Sequence, residues 1–500
     1  MTRPKTGARW RLLALAGALV ALPWLQGCTT NPATGRDNLT FVSQDEERRL
    51  GAEAHPKILQ QFGGPYDDPK LQAYVNGIGQ LLASSSELPK EKWTFTVLDS
   101  DIINAFALPG GYIYISRGLV ALADDEAQLA SVIGHEIGHD TARHFANRQT
   151  QAIGAQIGVA VLSVLTAATV GGDAAGMVGQ LGGTAAQGYL ASYSRGQELE
   201  SDSLGIRYMA RTGYDTAASA EFLGKLETSK ALLARLKDEA PRGYSYLDTH
   251  PPSAERVREA TAQIHRPPPP GAGRDRNLFL QKLDGMIYGD SPAQGFRKGR
   301  VFAHPRLRLR FEVPEGFYLL NFPDKVVGDG PDDAYVIFDH DAKRWSGDMP
   351  SYLTRQWGAK VRLRDVEAIR VNGRSAATGW TRGTSNGRQV DLRLVAVRWN
   401  DGQIYRFRFL APTQVMARYN RGFRETTYSL RSLSAAEAAR LKPDRIRIHT
   451  VRRGETFEGL ARQTPFTRLA AEHLRVLNGY APGQQPQAGV RIKLVVPGRR

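Results

Sequence analysis

His135-Glu136-Ile137-Gly138-His139 decides how the first half of this chain is read. Just upstream, Asp124 and Asp125 are good caps for a helix beginning near Glu126, and Leu129, Val132, Ile133 and Ile137 continue it at helical spacing. Histidines four apart lie on one face of a helix, one turn above the other. Two neutral imidazoles so placed can hold one Zn2+. Glu136, one residue round, is positioned as a general base toward the water that attacks a peptide carbonyl. A catalytic zinc takes three protein ligands and leaves a fourth position open. His144 is the nearest candidate, but the longer metal-binding pattern needs Gly at 142 and His at 145, where this chain has Ala142 and Phe145. On an ideal helix His144 also points about 180° from His135, which reads as a structural or surface side chain. Glu198-Leu199-Glu200-Ser201-Asp202 offers more. Glu198 and Asp202 share a helix face, so one carboxylate can bind zinc while the other orients a neighbouring ligand. Glu200 points away and reads as solvated.

Working outward, residues 45–90 read as helical, with amphipathic spacing around Leu71, Tyr74, Val75 and Ile78. Trp93–Leu98 alternates as a strand does. Ala105–Ser116 carries a hairpin signal, with a turn at Pro109-Gly110-Gly111 and the run Tyr112-Ile113-Tyr114-Ile115. Residues 152–172 hold no charge and are long enough to span a bilayer. They are rich in Ala, Gly, Ser and Thr, and a single crossing would separate Glu198 from His135. Buried or interfacial helices fit better, and a hairpin of 152–170 with 174–188 is the alternative. Pro267–Pro270 followed by Gly-Ala-Gly is a linker. Beyond it Leu307–Val313, Leu392–Val397 and Ile404–Phe409 alternate strictly, and Asn372-Gly373 is a tight-turn signal, so residues 300–435 read as an antiparallel sheet with one face buried. Short helices are expected near 350–357 and 412–424.

The N-terminus has Arg3, Lys5, Arg9 and Arg11, an apolar run from Leu12 to Leu22, then Leu25-Gln26-Gly27-Cys28. That is the pattern of a secretory signal peptide. Leu-x-Gly-Cys resembles the bacterial lipobox, which implies a lipid on Cys28, the only cysteine of the chain. No disulfide can therefore staple the folded domains. Thr29, where an Asp would imply inner-membrane retention, implies the outer membrane facing the periplasm. Apolar residues at 41% and charged residues at 23% place the rest among ordinary globular chains. The formal net charge of +16 could favour anionic lipid, nucleic acid or acidic wall polymers, but its arginines are spread along the C-terminal half without clustering, which reads as a solvated surface, and no nucleic-acid partner is expected.

The His135–His139 motif, the Glu198-x-x-x-Asp202 element and Asn104-Ala105-Phe106-Ala107-Leu108-Pro109-Gly110-Gly111 together resemble the gluzincin family of HtpX and the CAAX prenyl protease. Asn31-Pro32-Ala33-Thr34-Gly35-Arg36 and Thr249-His250-Pro251-Pro252 are similar as well. The five elements stand in the family's order over about residues 30–265, nearest to its periplasmic lipoprotein and assembly-quality-control members. The resemblance implies a mainly α zincin-type catalytic domain that binds one Zn2+ through His135, His139 and Glu198. It makes Asp202 an outer partner paired with Arg256. Asn104, Ala105, Phe106, Ala107 and Leu108 become an edge strand that takes substrate backbone by strand addition. It places His250 near the metal, either donating to the oxyanion or occupying the open position and holding the enzyme off. Two departures stand out: HtpX and the prenyl protease span the membrane repeatedly, and the assembly-enhancing periplasmic protease carries helical repeats that this chain lacks.

His449-Thr450-Val451-Arg452-Arg453-Gly454-Glu455-Thr456-Phe457, Leu477-Asn478-Gly479 and the closing run Ile492 to Pro497 resemble a LysM module, a small βααβ fold that binds N-acetylated sugars. The expected organisation is a signal peptide over 1–27, a zinc metallopeptidase domain over 28–265, a linker over 266–274, an α+β domain with an antiparallel sheet over 275–440 and a LysM-like module over 445–500. The expected function is a lipid-anchored periplasmic zinc endopeptidase acting on unfolded or misassembled envelope proteins, with peptidoglycan as a further partner through residues 445–500. The alternatives are a non-proteolytic chaperone or wall-binding scaffold with a structural or latent zinc site, and an amidase acting on wall peptides.

Overall fold

Ser43 accepts a hydrogen bond from the Glu46 backbone and starts the first long helix, Gln44–Gln61. Asp68 caps the second, Pro69–Ser84, whose proline stands in the first turn where a missing N–H costs nothing. The computed structural model describes residues 28–35, 37–151, 192–236, 246–251, 253–264, 272–341, 343–385 and 387–498. Residues 1–27, read above as a signal peptide, the stretch 152–188 and the Pro267–Pro270 run lie outside the described residues. A short antiparallel pair, β1 (Cys28–Thr30) and β2 (Asp37–Leu39), opens the described chain. The helix Pro69–Ser84 buries Leu71, Val75, Ile78 and Leu82. It packs near a sheet of β3 (Thr94–Leu98), β4 (Ala105–Leu108) and β5 (Tyr112–Ser116), in the order β3-β5-β4. β4 pairs antiparallel with β5, and Gly110 and Gly111 supply the positive φ values of 82° and 86° that close the hairpin.

Asp125 accepts from the Gln128 backbone and caps the motif helix, Glu126–Thr141, which is buried on nearly every side. Ser194 and Gln197 form a capping box that starts a partner helix, Arg195–Arg211. The two helices meet backbone to backbone at Gly134 and Gly205. A Cβ on Gly205 would stand 2.9 Å from the backbone nitrogen of His135. Gly205→Ala is therefore expected to push the helices apart and cost about 1–3 kcal/mol of stability, read as a lowered unfolding midpoint of the full chain.

The helical core gathers Leu71, Val97, Ile113, Ile133, Tyr208 and Phe222. It also takes in Phe279, Leu280 and Leu283 from the helix Arg276–Leu283, together with Ile446. This helix, just past the linker expected over 266–274, turns its apolar side into the helical core. Next come β6 (Ile287–Tyr288), β7 (Phe296–Lys298), β8 (Val301–His304) and β9 (Leu309–Glu312). The seven-stranded antiparallel sheet is built from β10 (Tyr318–Asn321), β11 (Val326–Asp329), β12 (Tyr335–Asp341), β13 (Arg364–Val371), β14 (Arg374–Ser385), β15 (Arg388–Asn400) and β16 (Gln403–Pro412). Their order is β10-β11-β12-β16-β15-β14-β13. Asn372-Gly373 forms the two-residue turn between β13 and β14, both residues at positive φ as a turn matching strand twist demands. Tyr405, Phe407 and Phe409 face a core completed by Phe423 of the helix Met416–Ser429. The other face is not left bare: Met349, Tyr352 and Leu353 cover Ala377, Leu394, Ala396 and Ile404.

The C-terminal segment runs strand, helix, helix, strand: β18 (Asp444–Thr450), Phe457–Ala461, Ala470–Leu477 and β19 (Arg491–Val496), after a two-residue β17 (Arg431–Ser432) that extends the β9 sheet. It is not free-standing. β18 pairs with β6, and the fully buried Lys493 donates from Nζ to the carbonyls of Ala121, Leu122 and Ala123 at 2.9, 3.2 and 2.6 Å. Those are carbonyls at the C-terminal end of the short helix Arg117–Leu122, where an ammonium group satisfies acceptors that have no partner within the helix. Among the described residues no helix is long and apolar enough to cross a membrane.

Candidate metal centre

The motif helix and its partner helix present His135, His139 and Glu198 to one another, and the turn after Tyr246–Thr249 brings in His250. His135 Nε2 and His139 Nε2 lie 3.0 Å apart. Glu198 stands 3.6 Å from His135 Nε2 and 3.5 Å from His139 Nε2. His250 Nδ1 lies 3.3 Å from His135 Nε2 and 2.9 Å from Glu198 Oε1. All four ligand atoms fall within 4.8 Å of one another, and all four residues are buried. Bonds of about 2.0–2.2 Å to a tetrahedral zinc put neighbouring ligand atoms about 3.3–3.6 Å apart, so the spacing fits. Imidazole nitrogens with one carboxylate are a donor set that suits zinc.

Glu136 supplies a second sign that the cluster is incomplete by itself. It is fully buried, and neither carboxylate oxygen has a hydrogen-bond partner among the described residues. His250 Nε2 lies 3.7 Å from Glu136 Oε1. Burial raises the Glu136 carboxyl above the ordinary range, a state in which it takes up a proton readily. Burial likewise works against ionisation of Glu198, but His250, His139 and His135 around it outweigh that and hold its carboxyl well below the usual range.

Asp202 lies behind His135. His135 Nδ1 donates to Asp202 Oδ1 at 2.8 Å, which leaves Nε2 free for metal. Arg256, 2% exposed, grips both Asp202 oxygens at 2.7 and 2.8 Å and reaches Glu198 Oε2 at 2.8 Å. Ser253 caps the helix Ala254–Ala262 that delivers it.

Of the two readings of His144, structural or surface, the structure shows the structural one, and Glu200, read as solvated, is drawn to it. The motif helix stops at Thr141, and Arg143 adopts a left-handed φ of 55°. His144 is thereby turned back beside His139 and is 1% exposed, not at the surface. Its Nδ1 lies 2.7 Å from His139 Nδ1, and its Nε2 lies 2.9 Å from Glu200 Oε2. Sequence reasoning also missed the rings packed around the centre. Tyr193 stacks on His139 at 4.0 Å and Tyr246 on His250 at 4.6 Å.

Of the segment 104–108, Ala105–Leu108 form β4, at the outside of its sheet, and Asn104 precedes it. It is tied to the metal ligands at both ends. The carboxylate next to His139, that of Asp140, accepts from the backbone of Gly110 at 3.3 Å and Gly111 at 2.8 Å. The Tyr246 backbone N–H donates to Ile103 O at 2.8 Å. Asn31, in the motif near the start of the described chain, donates to Ala142 O at 3.1 Å and finishes the motif helix. Cys28 pairs with Leu39 in the β1–β2 ladder.

Residues 69–264 match the model of peptidase family M48. That span contains every residue of the buried cluster, and metallopeptidases of this family use zinc. The chain is 31% identical over 265 residues to the beta-barrel assembly-enhancing protease of Yersinia pestis, covering 52% of each chain. It is 30% identical over 275 residues to the protein of the same name in Escherichia coli strain K12, covering 54% of each. It is also 26% identical over 231 residues to the mitochondrial metalloendopeptidase OMA1 of Schizosaccharomyces pombe, covering 46% of this chain and 64% of that one. The chain thus spans about half the length of the beta-barrel assembly-enhancing proteases it matches. The matched segment holds the buried His135, His139, Glu198 and His250 group, which can bind one metal ion.

Proposed function

We propose that this protein is a zinc endopeptidase of the bacterial cell envelope that cleaves unfolded or misassembled envelope proteins. The observation that carries the reading is the buried His135, His139 and Glu198 set with the unpartnered carboxylate of Glu136 beside it. Zinc bound there would polarise the peptide carbonyl and lower the pKa of the attacking water. His135, His139 and Glu198 hold the metal. Glu136 takes the proton of the water and returns it to the leaving amine, a cycle its raised affinity for protons suits. β4 accepts the substrate backbone by strand addition through Asn104, Ala105, Phe106, Ala107 and Leu108, which recognises many sequences as long as they are extended. A non-proteolytic scaffold has no need of a buried, unpartnered carboxylate at this spot, and that favours the enzyme.

His250 sits within reach of both Glu198 and Glu136. In this reading His250 would either serve as a further ligand that holds the enzyme off or donate to the substrate oxyanion. His250→Ala is expected to change the cleavage rate at least several-fold while the chain stays folded. An unchanged rate would remove it from the mechanism. The lipid on Cys28, the periplasmic face of the outer membrane and a glycan-binding role for residues 445–500 complete the reading. They rest on the lipobox-like Leu25–Cys28 and on the LysM-like pattern.

The substrate class is tested by giving the full chain, with zinc, one protein in two states. Cleavage of the denatured form at a rate far above the native form is expected, because only an extended segment can pair with β4. Equal cleavage of both forms would contradict it.

A further inference from the structure

Glu198-Leu199-Glu200-Ser201-Asp202 contributes three carboxylates at alternate positions, and the structure engages all three around the same cluster. Glu198 is in it, and Asp202 is hydrogen-bonded to His135. We infer that Glu200 does for His139, through His144, what Asp202 does directly for His135. The two would then be positioning residues that set the orientation of the second zinc ligand and the electron density it offers. The inference rests on the reading of His135, His139 and Glu198 as zinc ligands.

His139 faces the cluster with Nε2, 3.0 Å from His135 Nε2. A neutral imidazole that offers Nε2 to a metal carries its proton on Nδ1. That N–H points at His144 Nδ1, 2.7 Å away, which must accept and therefore carries no proton. The proton of His144 then sits on Nε2, where it donates to Glu200 Oε2 at 2.9 Å. Every group in the chain has one consistent role, and its order is carboxylate, imidazole, imidazole, metal position. The outer partner of a metal-bound histidine fixes its tautomer and ring angle and raises its basicity. Here the carboxylate acts at one remove because His144 fills the place beside His139. The two ends also differ in exposure. Asp202 is buried and neutralised by Arg256, whereas the Glu200 side chain is 33% exposed. One supporting charge of the centre therefore lies where water and neighbouring charges reach it.

The test is zinc affinity of the full chain, read by competition with a chromogenic chelator, for Glu200→Gln, His144→Phe and the double variant. Outer-partner substitutions at metal sites typically cost about 10- to 100-fold in affinity. Both single variants are expected to weaken zinc binding by about tenfold or more. The double variant is expected to lie within about threefold of His144→Phe alone, because residues in one chain of hydrogen bonds do not add. A purely structural role would lower the unfolding midpoint of the metal-free form, which Glu200→Gln should leave unchanged, since the side chain is part-exposed. If His144→Phe does not fold, Glu200→Gln carries the test by itself. Wild-type affinity in Glu200→Gln would overturn the inference, as would losses that simply add. A wild-type chain that binds no zinc would overturn the metal-site reading beneath it, which is a different and recognisable outcome.

Discussion

Glu136→Gln is expected to abolish measurable casein cleavage while leaving the bound zinc unchanged. The substitution keeps the size of a side chain that is wholly enclosed, so the motif helix has no reason to move. It removes only the ability to take and return a proton. General-base catalysis is worth about 10²–10⁴-fold in rate, which corresponds to about 3–5 kcal/mol of barrier. Neither oxygen of Glu136 is committed to a hydrogen bond among the described residues, so no structural contact is lost with the charge. The check is a rate measured at matched zinc content. A variant that lost its zinc would show that Glu136 had been given the wrong role, and one that kept its rate would show that the base lies elsewhere.

Arg256→Met is expected to be the most damaging substitution for the fold of the centre. Its guanidinium is buried, holds both oxygens of Asp202 and touches Glu198. Burial resists the ionisation of Asp202, and Arg256 with His135 reverses this and holds its carboxyl below the usual range. Taking the cation away leaves two carboxylates buried beside each other. Breaking a buried pair from one side costs about 3–5 kcal/mol. The unfolding midpoint of the metal-free chain should fall by many degrees, and added zinc should recover part of the loss, because the metal also neutralises Glu198. An unchanged midpoint in chelator would contradict this account of the site.

The parts of the site legible in the sequence are those governed by helical spacing. His135 and His139 repeat every four residues, as do Glu198 and Asp202, and each pair shares a face as that spacing requires. The Asp125 cap, the Gly110-Gly111 turn and the Asn372-Gly373 turn follow from local backbone chemistry and could be read without any tertiary knowledge. His144 was not legible for a specific reason. The ideal-helix angle held only as far as Thr141, and the left-handed turn at Arg143 redirected the chain. No spacing rule anticipates that turn, because arginine does not favour it. Glu200 was missed with it, since a carboxylate on the far face of a helix looks solvated until another segment arrives. The packing of Phe279 and Leu283 into the helical core, and of Lys493 onto the carbonyls before the motif helix, are long-range contacts with no local signature.

Elemental analysis of the purified full chain, wild type beside His139→Ala, gives the zinc bound per chain. The account predicts one zinc per wild-type chain, retained through gel filtration, and none in the variant. A wild-type chain without zinc, or a variant that keeps a full equivalent, would contradict it.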